Sequence, residues 1–286
     1  MSEVAYDPTT YKNNQRRDWD AAAAGWKKWW EWFELRAQHV SHRLIEMGSV
    51  QPGHRVLDVA TGIGEPAVTA ARRVGLEGRV IATDQAPGML EIAEERRATL
   101  GLENLEFKRM DAEVLDFPDE NFDTVLCRWG LMFLPDLPNT LNQIRRVLRP
   151  GGRFATSIWG VPEKTPGISM AMGVIKKMIR PPAPPEDAPS MFKLSPPGVL
   201  EKAFMQAGFS NVLAESHQVD FAFESVDEYI RFLKDVAVVI TVMLANETTD
   251  RQAEVWQVIT SGVGAFTDGN GAVSMPSETI LVVGKK

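Results

Sequence analysis

Apolar positions along this chain change period several times, and each change marks an element. RVLDVA at 55–60 is a short, nearly continuous apolar run rich in β-branched residues, the pattern of a strand buried on both faces. RVIATD at 79–84, LEFKRMDA at 105–112, FDTVLCRW at 122–129 and RFATSIW at 153–159 read the same way. Good helix formers stand between them at 65–74, where Pro66 is allowed in the first turn, at 87–100, stopped by Gly101, and at 137–148, closed by Arg149-Pro150-Gly151-Gly152. The order is β-α-β-α-β-β-α-β with short connections. Such alternation predicts a mostly parallel sheet with helices on both faces, whose ligands lie beyond the carboxyl ends of the strands.

The flanks follow other patterns. Residues 18–47 predict a helix, with no proline and with Gly48 as its stop. After residue 160 comes a methionine-bearing helix, GISMAMGVIKKMI, and then the proline-rich loop 180–190. SPPGVLEKAFMQAGF predicts a helix with Ser195 as N-cap, and residues 211–223 alternate as a strand. Ser225 and Glu228 form a capping box before a long helix. VAVVITVMLA at 236–245 reads as a buried helix, 249–261 as another, TDGNG as a turn and ETILVVGKK as a last strand. We therefore expect an N-terminal helical segment and lid over 1–48, a ligand-binding core over 49–160, and helical insertions plus the last two strands of the same sheet over 161–286. No internal repeat is visible.

Charge and composition narrow the function. The net charge of -7 and a pI near 5.3 argue against a general nucleic-acid surface. The single cysteine, Cys127, forms no intrachain disulfide and suits a reducing compartment. The polar N-terminus is no signal peptide, and no apolar run approaches membrane-spanning length. The expected location is the cytoplasm. His39 and His42 stand i, i+3 on the first helix with no third ligand evident, so no metal is expected.

The first strand ends in Gly62-Ile63-Gly64-Glu65-Pro66-Ala67, a G-x-G-x-x-A match, with Asp84 at the end of the next strand. Read mechanically this is a dinucleotide fingerprint. Yet a pyrophosphate favours backbone N–H groups at a helix N-terminus without a carboxylate nearby. Here Glu65 adds a negative charge and Pro66 removes a donor. S-adenosylmethionine has no phosphate, and its ammonium and sulfonium favour acids such as Asp58 nearby. Met110-Asp111-Ala112-Glu113 ends the third strand with an acid for an adenine amino group, and CRWGLMFLPD follows the fourth with bulk suited to a dry reaction site.

VLDVATGIGEPA, VIATDQAPGML, KRMDAEVLDFPDENFDTVLCRWGLMFLPD and RRVLRPGG together resemble the class I S-adenosylmethionine-dependent methyltransferases. Within these they look most like the ubiquinone/menaquinone-biosynthesis C-methyltransferases. The resemblance is strong over 50–160, looser over 196–223 and 278–286, and weak in the N-terminal helix. It implies a doubly wound, Rossmann-like α/β fold, a seven-stranded sheet whose last strand is antiparallel and lies beside the sixth. It also implies S-adenosylmethionine as cofactor, with S-adenosylhomocysteine as product. Asp58, Ala60, Thr61, Gly62 and Gly64 would hold the methionine end. Asp84 would bind the ribose hydroxyls, with Gln85 and Met89 beside the adenosine. Asp111, Ala112 and Glu113 would flank the adenine, and Cys127, Arg128 and Trp129 would sit near the sulfonium. The chain departs from the family where Glu65-Pro66 replaces an often-present third glycine.

Methyl transfer needs proximity, alignment and a dry site more than acid–base catalysis, and no catalytic residue is assigned. Trp26, Trp29, Trp30 and Phe33 share one helical face. They read either as core or as an aromatic lid over an apolar acceptor, with Met132 and Phe133 on the opposite wall. Met170, Met172, Met178 and Met191 suggest an adaptable apolar surface. Lys27 and Lys28 would allow peripheral membrane contact with a lipid-like substrate. The expected function is methylation of a small, aromatic or lipid-like acceptor. A nicotinamide oxidoreductase, a protein or RNA methyltransferase, and a non-catalytic cofactor-binding module are the alternatives. Against the second, CRWG stands where an Asn/Asp-Pro-Pro-Tyr type motif would be.

Overall fold

The computed structural model describes residues 6–182, 184, 185 and 187–286. Residues 1–5 of the N-terminal segment, and 183 and 186 of the proline-rich loop, lie outside the described residues. Seven strands form one sheet: β1 (Arg55–Val59), β2 (Arg79–Asp84), β3 (Leu105–Arg109), β4 (Phe122–Arg128), β5 (Leu148–Trp159), β6 (Ser210–Phe223) and β7 (Val273–Lys285). Their order is β3-β2-β1-β4-β5-β7-β6. The first five run parallel, and β7 lies antiparallel between β5 and β6. Strand order reverses between β1 and β4, so a crevice opens beyond Val59 and Arg128.

Nine helices are described: α1 (Pro8–Met47), α2 (Ala67–Val74), α3 (Pro87–Leu100), α4 (Leu137–Val147), α5 (Pro166–Ile179), α6 (Val199–Gln206), α7 (Val226–Val236), α8 (Val238–Leu244) and α9 (Thr249–Val263). The core lies between sheet and helices, with Val56, Leu57, Val80, Val125, Leu126, Phe154 and Leu281 essentially inaccessible. No helix among the described residues is long and apolar enough to cross a membrane.

Several boundaries differ from expectation for local reasons. α1 begins ten residues before the expected start, because Asp7 caps it by accepting from the N–H groups of Thr9 (3.2 Å) and Thr10 (3.0 Å), and Pro8 fits the first turn. α2 begins at Ala67, and Pro66 stands before it instead of inside it. Ser195 is not an N-cap: it is buried, its hydroxyl donates to the carbonyl of Trp159 (2.8 Å), and α6 starts after Gly198. The two prolines that follow Ser195 hold the chain out of the helical region until that glycine. The expected long helix after Ser225 breaks at Ala237, where φ -86° and ψ 76° leave the helical region. In its capping box the Glu228 N–H donates to Ser225 Oγ (3.2 Å). The Glu228 carboxylate accepts from the N–H of Glu224 (2.7 Å), not from that of Ser225. β7 starts at Val273, five residues before the expected strand, paired to β6 along its whole length.

Candidate active site

The turn after β1 brings the backbone to the crevice. Gly62 has φ +56°, and a Cβ there would meet nothing within 4 Å, so its open side faces free space. Its N–H donates to Asp84 Oδ2 (2.8 Å), while the Ala86 N–H donates to Oδ1 (2.9 Å). A carboxylate has about four acceptor sites, so Asp84 retains capacity for a further donor. Burial raises its pKa, and those N–H groups pull the other way.

A cavity of about 1050 Å³, counting its open mouth, spreads from this turn. It is lined by Ala60, Thr61, Gly62, Asp84, Gln85, Met89, Asp111, Ala112, Arg128, Trp129 and Phe133, as the sequence predicted residues for this region. Gly64, Asp58, Glu113 and Cys127 do not line it. Gly64 (φ +102°) packs against α3: a Cβ there would stand 3.3 Å from Phe107 and 3.4 Å from Ala93. Asp58 lies fully buried beneath the turn, where Oδ2 accepts from Thr61 Oγ1 and from the Ala67 N–H (3.1 Å). Glu113 clamps loops, accepting from the Asp136 N–H (2.7 Å) and from Lys12 (2.9 Å). Cys127 is sealed in the core with its thiol pushed up to about 12, chiefly by burial.

The cavity wall also carries residues that the sequence left unassigned. Lys12, Gln15 and Trp19 come from the first turns of α1, and Met110, Gly130 and Leu134 from strand-end loops. Lys12 Nζ pairs with Asp111 Oδ2 (2.7 Å) as well as with Glu113. For the three on α1 the signal was the Asp7-Pro8 helix start, which extends α1 over the crevice.

Charges beneath the wall alternate. Arg128 grips Glu34 through both guanidinium nitrogens and donates to Ser41 Oγ (3.0 Å). Glu65, also on the wall, accepts from Thr69 Oγ1 (2.7 Å) and lies 3.5 Å from Arg96. Burial, followed by the Glu34 charge, raises the Glu65 pKa. Burial pushes Asp58 up to about 7, against the Thr61 hydroxyl and Arg128. The two wall cations, Lys12 and Arg128, are thus committed to acids. The acids outnumber them, and Asp58 Oδ1 has no partner. Such a site suits a cationic ligand and disfavours a pyrophosphate.

Trp129 closes one end. Its φ of +57° is unusual for a bulky residue and costs about 1–3 kcal/mol. Its N–H is held by the Ser157 carbonyl (2.9 Å), its Nε1 donates to Thr279 Oγ1 (2.9 Å), and its ring stacks on Trp159 at 4.5 Å. Beyond it lies a second chamber of about 730 Å³, which shares Trp19, Trp26, Phe33, Trp129 and Phe133 with the first cavity. Met132, Met172 and Met191 line this chamber, and every other residue of its wall is apolar too. Of the aromatic face on α1, Trp26 reaches both spaces. Trp29 and Trp30 line neither and turn to neighbouring helices. Trp29 donates to Asp235 Oδ2 (2.7 Å) on α7, and the Arg96 guanidinium of α3 covers Trp30 at 4.3 Å. Among the described residues no group of three or more His, Cys, Asp or Glu is placed to hold a metal ion.

Residues 56–152 match the family described as "Methyltransferase domain". That stretch is similar to a methyltransferase domain. The sheet that carries this stretch has a Rossmann-like architecture, with β7 antiparallel between β5 and β6. The ubiquinone/menaquinone biosynthesis C-methyltransferase UbiE of Teredinibacter turnerae is 37% identical over 130 residues, 43% of this chain and 52% of that protein. The 2-phytyl-1,4-naphtoquinone methyltransferase of Synechococcus elongatus is 38% identical over 120 residues, 40% of this chain and 52% of that one. The chain thus spans about half the length of these relatives. Among solved structures, the YcgJ protein of Bacillus subtilis shares the fold, with TM-score 0.56 and 21% identity, covering 87% of this chain and 98% of that one.

Proposed function

We propose that this chain is an S-adenosylmethionine-dependent methyltransferase acting on a small, apolar aromatic acceptor of the quinol type. The observation that carries this reading is the adjacency of two spaces: an acid-bearing cavity at the Gly62 turn shares Trp26, Phe33, Trp129 and Phe133 with a chamber without charge. When bound, S-adenosylmethionine supplies an activated methyl group whose leaving group departs neutral. Asp84 would accept from the ribose hydroxyls. Asp111 and Ala112 would border the adenine, with Lys12 closing over that edge. Glu65 on the wall and Asp58 beneath it would favour the ammonium end. Trp26, Phe33, Trp129 and Phe133 would exclude water at the junction, where a dry, aligned approach is the main catalytic demand. The names of the relatives support a quinone-related acceptor, and the apolar chamber suits such a ring.

The test is to incubate the protein with S-adenosylmethionine carrying a deuterated methyl group and with 1,4-naphthohydroquinone, and to follow the product by mass spectrometry. A labelled ring product, lost in Asp84→Ala, is expected. Labelling of charged acceptors such as phosphoethanolamine, with none of the hydroquinone, would sink the acceptor class.

A further inference from the structure

Trp19, Trp26, Phe33, Trp129 and Phe133 border both the cavity and the chamber. A positive charge stands among them. The Arg128 guanidinium lies 5.1 Å from the centroid of the Trp129 ring and 5.9 Å from that of Phe33. Two like charges at such a range repel strongly where the effective dielectric is low. The guanidinium is neutralised from α1. Glu34, next to Phe33 in the chain, accepts from Nη1 through Oε2 (2.9 Å) and from Nη2 through Oε1, and Ser41 Oγ accepts from Nη1 (3.0 Å). The Arg128 and Glu34 side chains are only 6% and 8% exposed. Glu34 itself lines neither space. Two other acids of this region are held by other groups. Glu65 stands beside Arg96 (3.5 Å), and Asp58 accepts from Thr61 and Ala67 beneath the turn. Among the described residues, Glu34 is the carboxylate paired with Arg128.

We propose that Glu34 is the counter-charge that lets the cavity hold a sulfonium beside Arg128, acting through the guanidinium without touching the ligand. This deepens the methyltransferase reading and rests on it. A methyl group handed from the cavity to the chamber crosses among the five shared rings, and Arg128 stands beside two of them. The donor sulfur therefore sits within the field of the guanidinium. With Glu34 ionised, the pair is neutral as a unit, and the sulfonium faces a dipole instead of a bare cation. When the methyl group bonds to the acceptor, the C–S bond breaks, its electron pair stays on sulfur, and the product is a neutral sulfide. Removing the Glu34 charge therefore weakens the charged substrate more than its product. Glu34 is a positioning residue that selects by charge through Arg128.

The test is the ratio of the dissociation constants of S-adenosylmethionine and S-adenosylhomocysteine, measured by calorimetry at pH 8. The two compounds share their adenosine, ammonium and carboxylate, so the ratio isolates the sulfonium. The proteins are the parent, Glu34→Gln, Arg128→Gln and the double variant. Glu34→Gln keeps an oxygen for Arg128 and removes the charge. Its ratio should move against S-adenosylmethionine by about ten-fold, the scale of two like charges about 7 Å apart at an effective dielectric of about 30. Arg128→Gln leaves the carboxylate without its cation and should move the ratio the other way. The double variant should return to within about two-fold of the parent, a coupling that lost packing does not produce. A buried cation without its partner is destabilising, so if Glu34→Gln does not fold, the opposite shift in Arg128→Gln carries the test. A ratio that stays at the parent value in either single variant that folds overturns the proposal. A folded parent that binds neither compound overturns the methyltransferase reading, and this proposal with it.

Discussion

Asp58 lies beneath the Gly62 turn with Oδ1 unpartnered, and burial lifts its carboxyl from 3.8 to about 7. A folded-state value above the unfolded one means that the folded protein binds the extra proton. Its stability therefore falls as pH rises from about 4 to about 7 and stays lowered above that. Asp58→Asn keeps an oxygen for Thr61 and Ala67 and removes the buried charge. Its melting temperature should exceed that of the parent by several degrees at pH 8 and by less at pH 5, as read by scanning calorimetry. A ligand ammonium placed near the acid reverses the preference by favouring the ionised form. The parent should bind S-adenosylhomocysteine more tightly at pH 8 than at pH 6, and Asp58→Asn should flatten that difference. A higher melting temperature with an unchanged binding profile would mean that Asp58 is purely structural. The sequence pointed to Asp58, Cys127 and Glu113 as contacts because they adjoin the strand ends. Cys127 lies inside β4 with its side chain in the core, whereas Arg128 ends the strand and Trp129, at φ +57°, turns beyond it. Arg128 and Trp129 reach it and Cys127 does not.

α1 is the element that joins the two spaces. Along one helix it carries Lys12, Gln15 and Trp19 over the cavity, then Trp26 and Phe33 at the junction. It is tied down by the Lys12 pair with Asp111 and Glu113, and by the Gly88 N–H donating to Asp20 Oδ1 (2.6 Å). Lys12→Ala should speed S-adenosylhomocysteine release by about two- to five-fold, the scale of a partly exposed ion pair, and should erase part of the salt dependence of that rate. Stopped-flow displacement would check this, and an unchanged rate would remove α1 from the closing contact. The start of this helix was hidden because residues 8–17 are polar and lack an apolar period; their cap, Asp7-Pro8, was the legible sign. The strands β1 to β5 were legible for the opposite reason, since buried parallel strands leave apolar runs bounded by glycine and proline. Trp29 and Trp30 share a stripe with Trp26, and only the positions of α7 and α3 decide which of them faces the chamber.

At the scale of the whole molecule, the sheet reversal between β1 and β4 sets an acid-lined cavity beside a chamber without charge, and α1 spans both. This division was legible in part. The Gly62 turn and Asp84 marked one half, whereas the chamber is assembled from α1, β6, α5, α7 and α8, segments whose spacing carries no common motif. The central claim is that the cavity takes an ammonium-bearing, phosphate-free nucleoside. The most direct measurement is calorimetric titration of the protein with S-adenosylhomocysteine and, separately, with NAD. Binding of S-adenosylhomocysteine in the micromolar range, lost in Asp84→Ala and without binding of NAD, is the predicted result. Binding of NAD alone would mean that the Gly62 turn cradles a pyrophosphate, and would contradict the account.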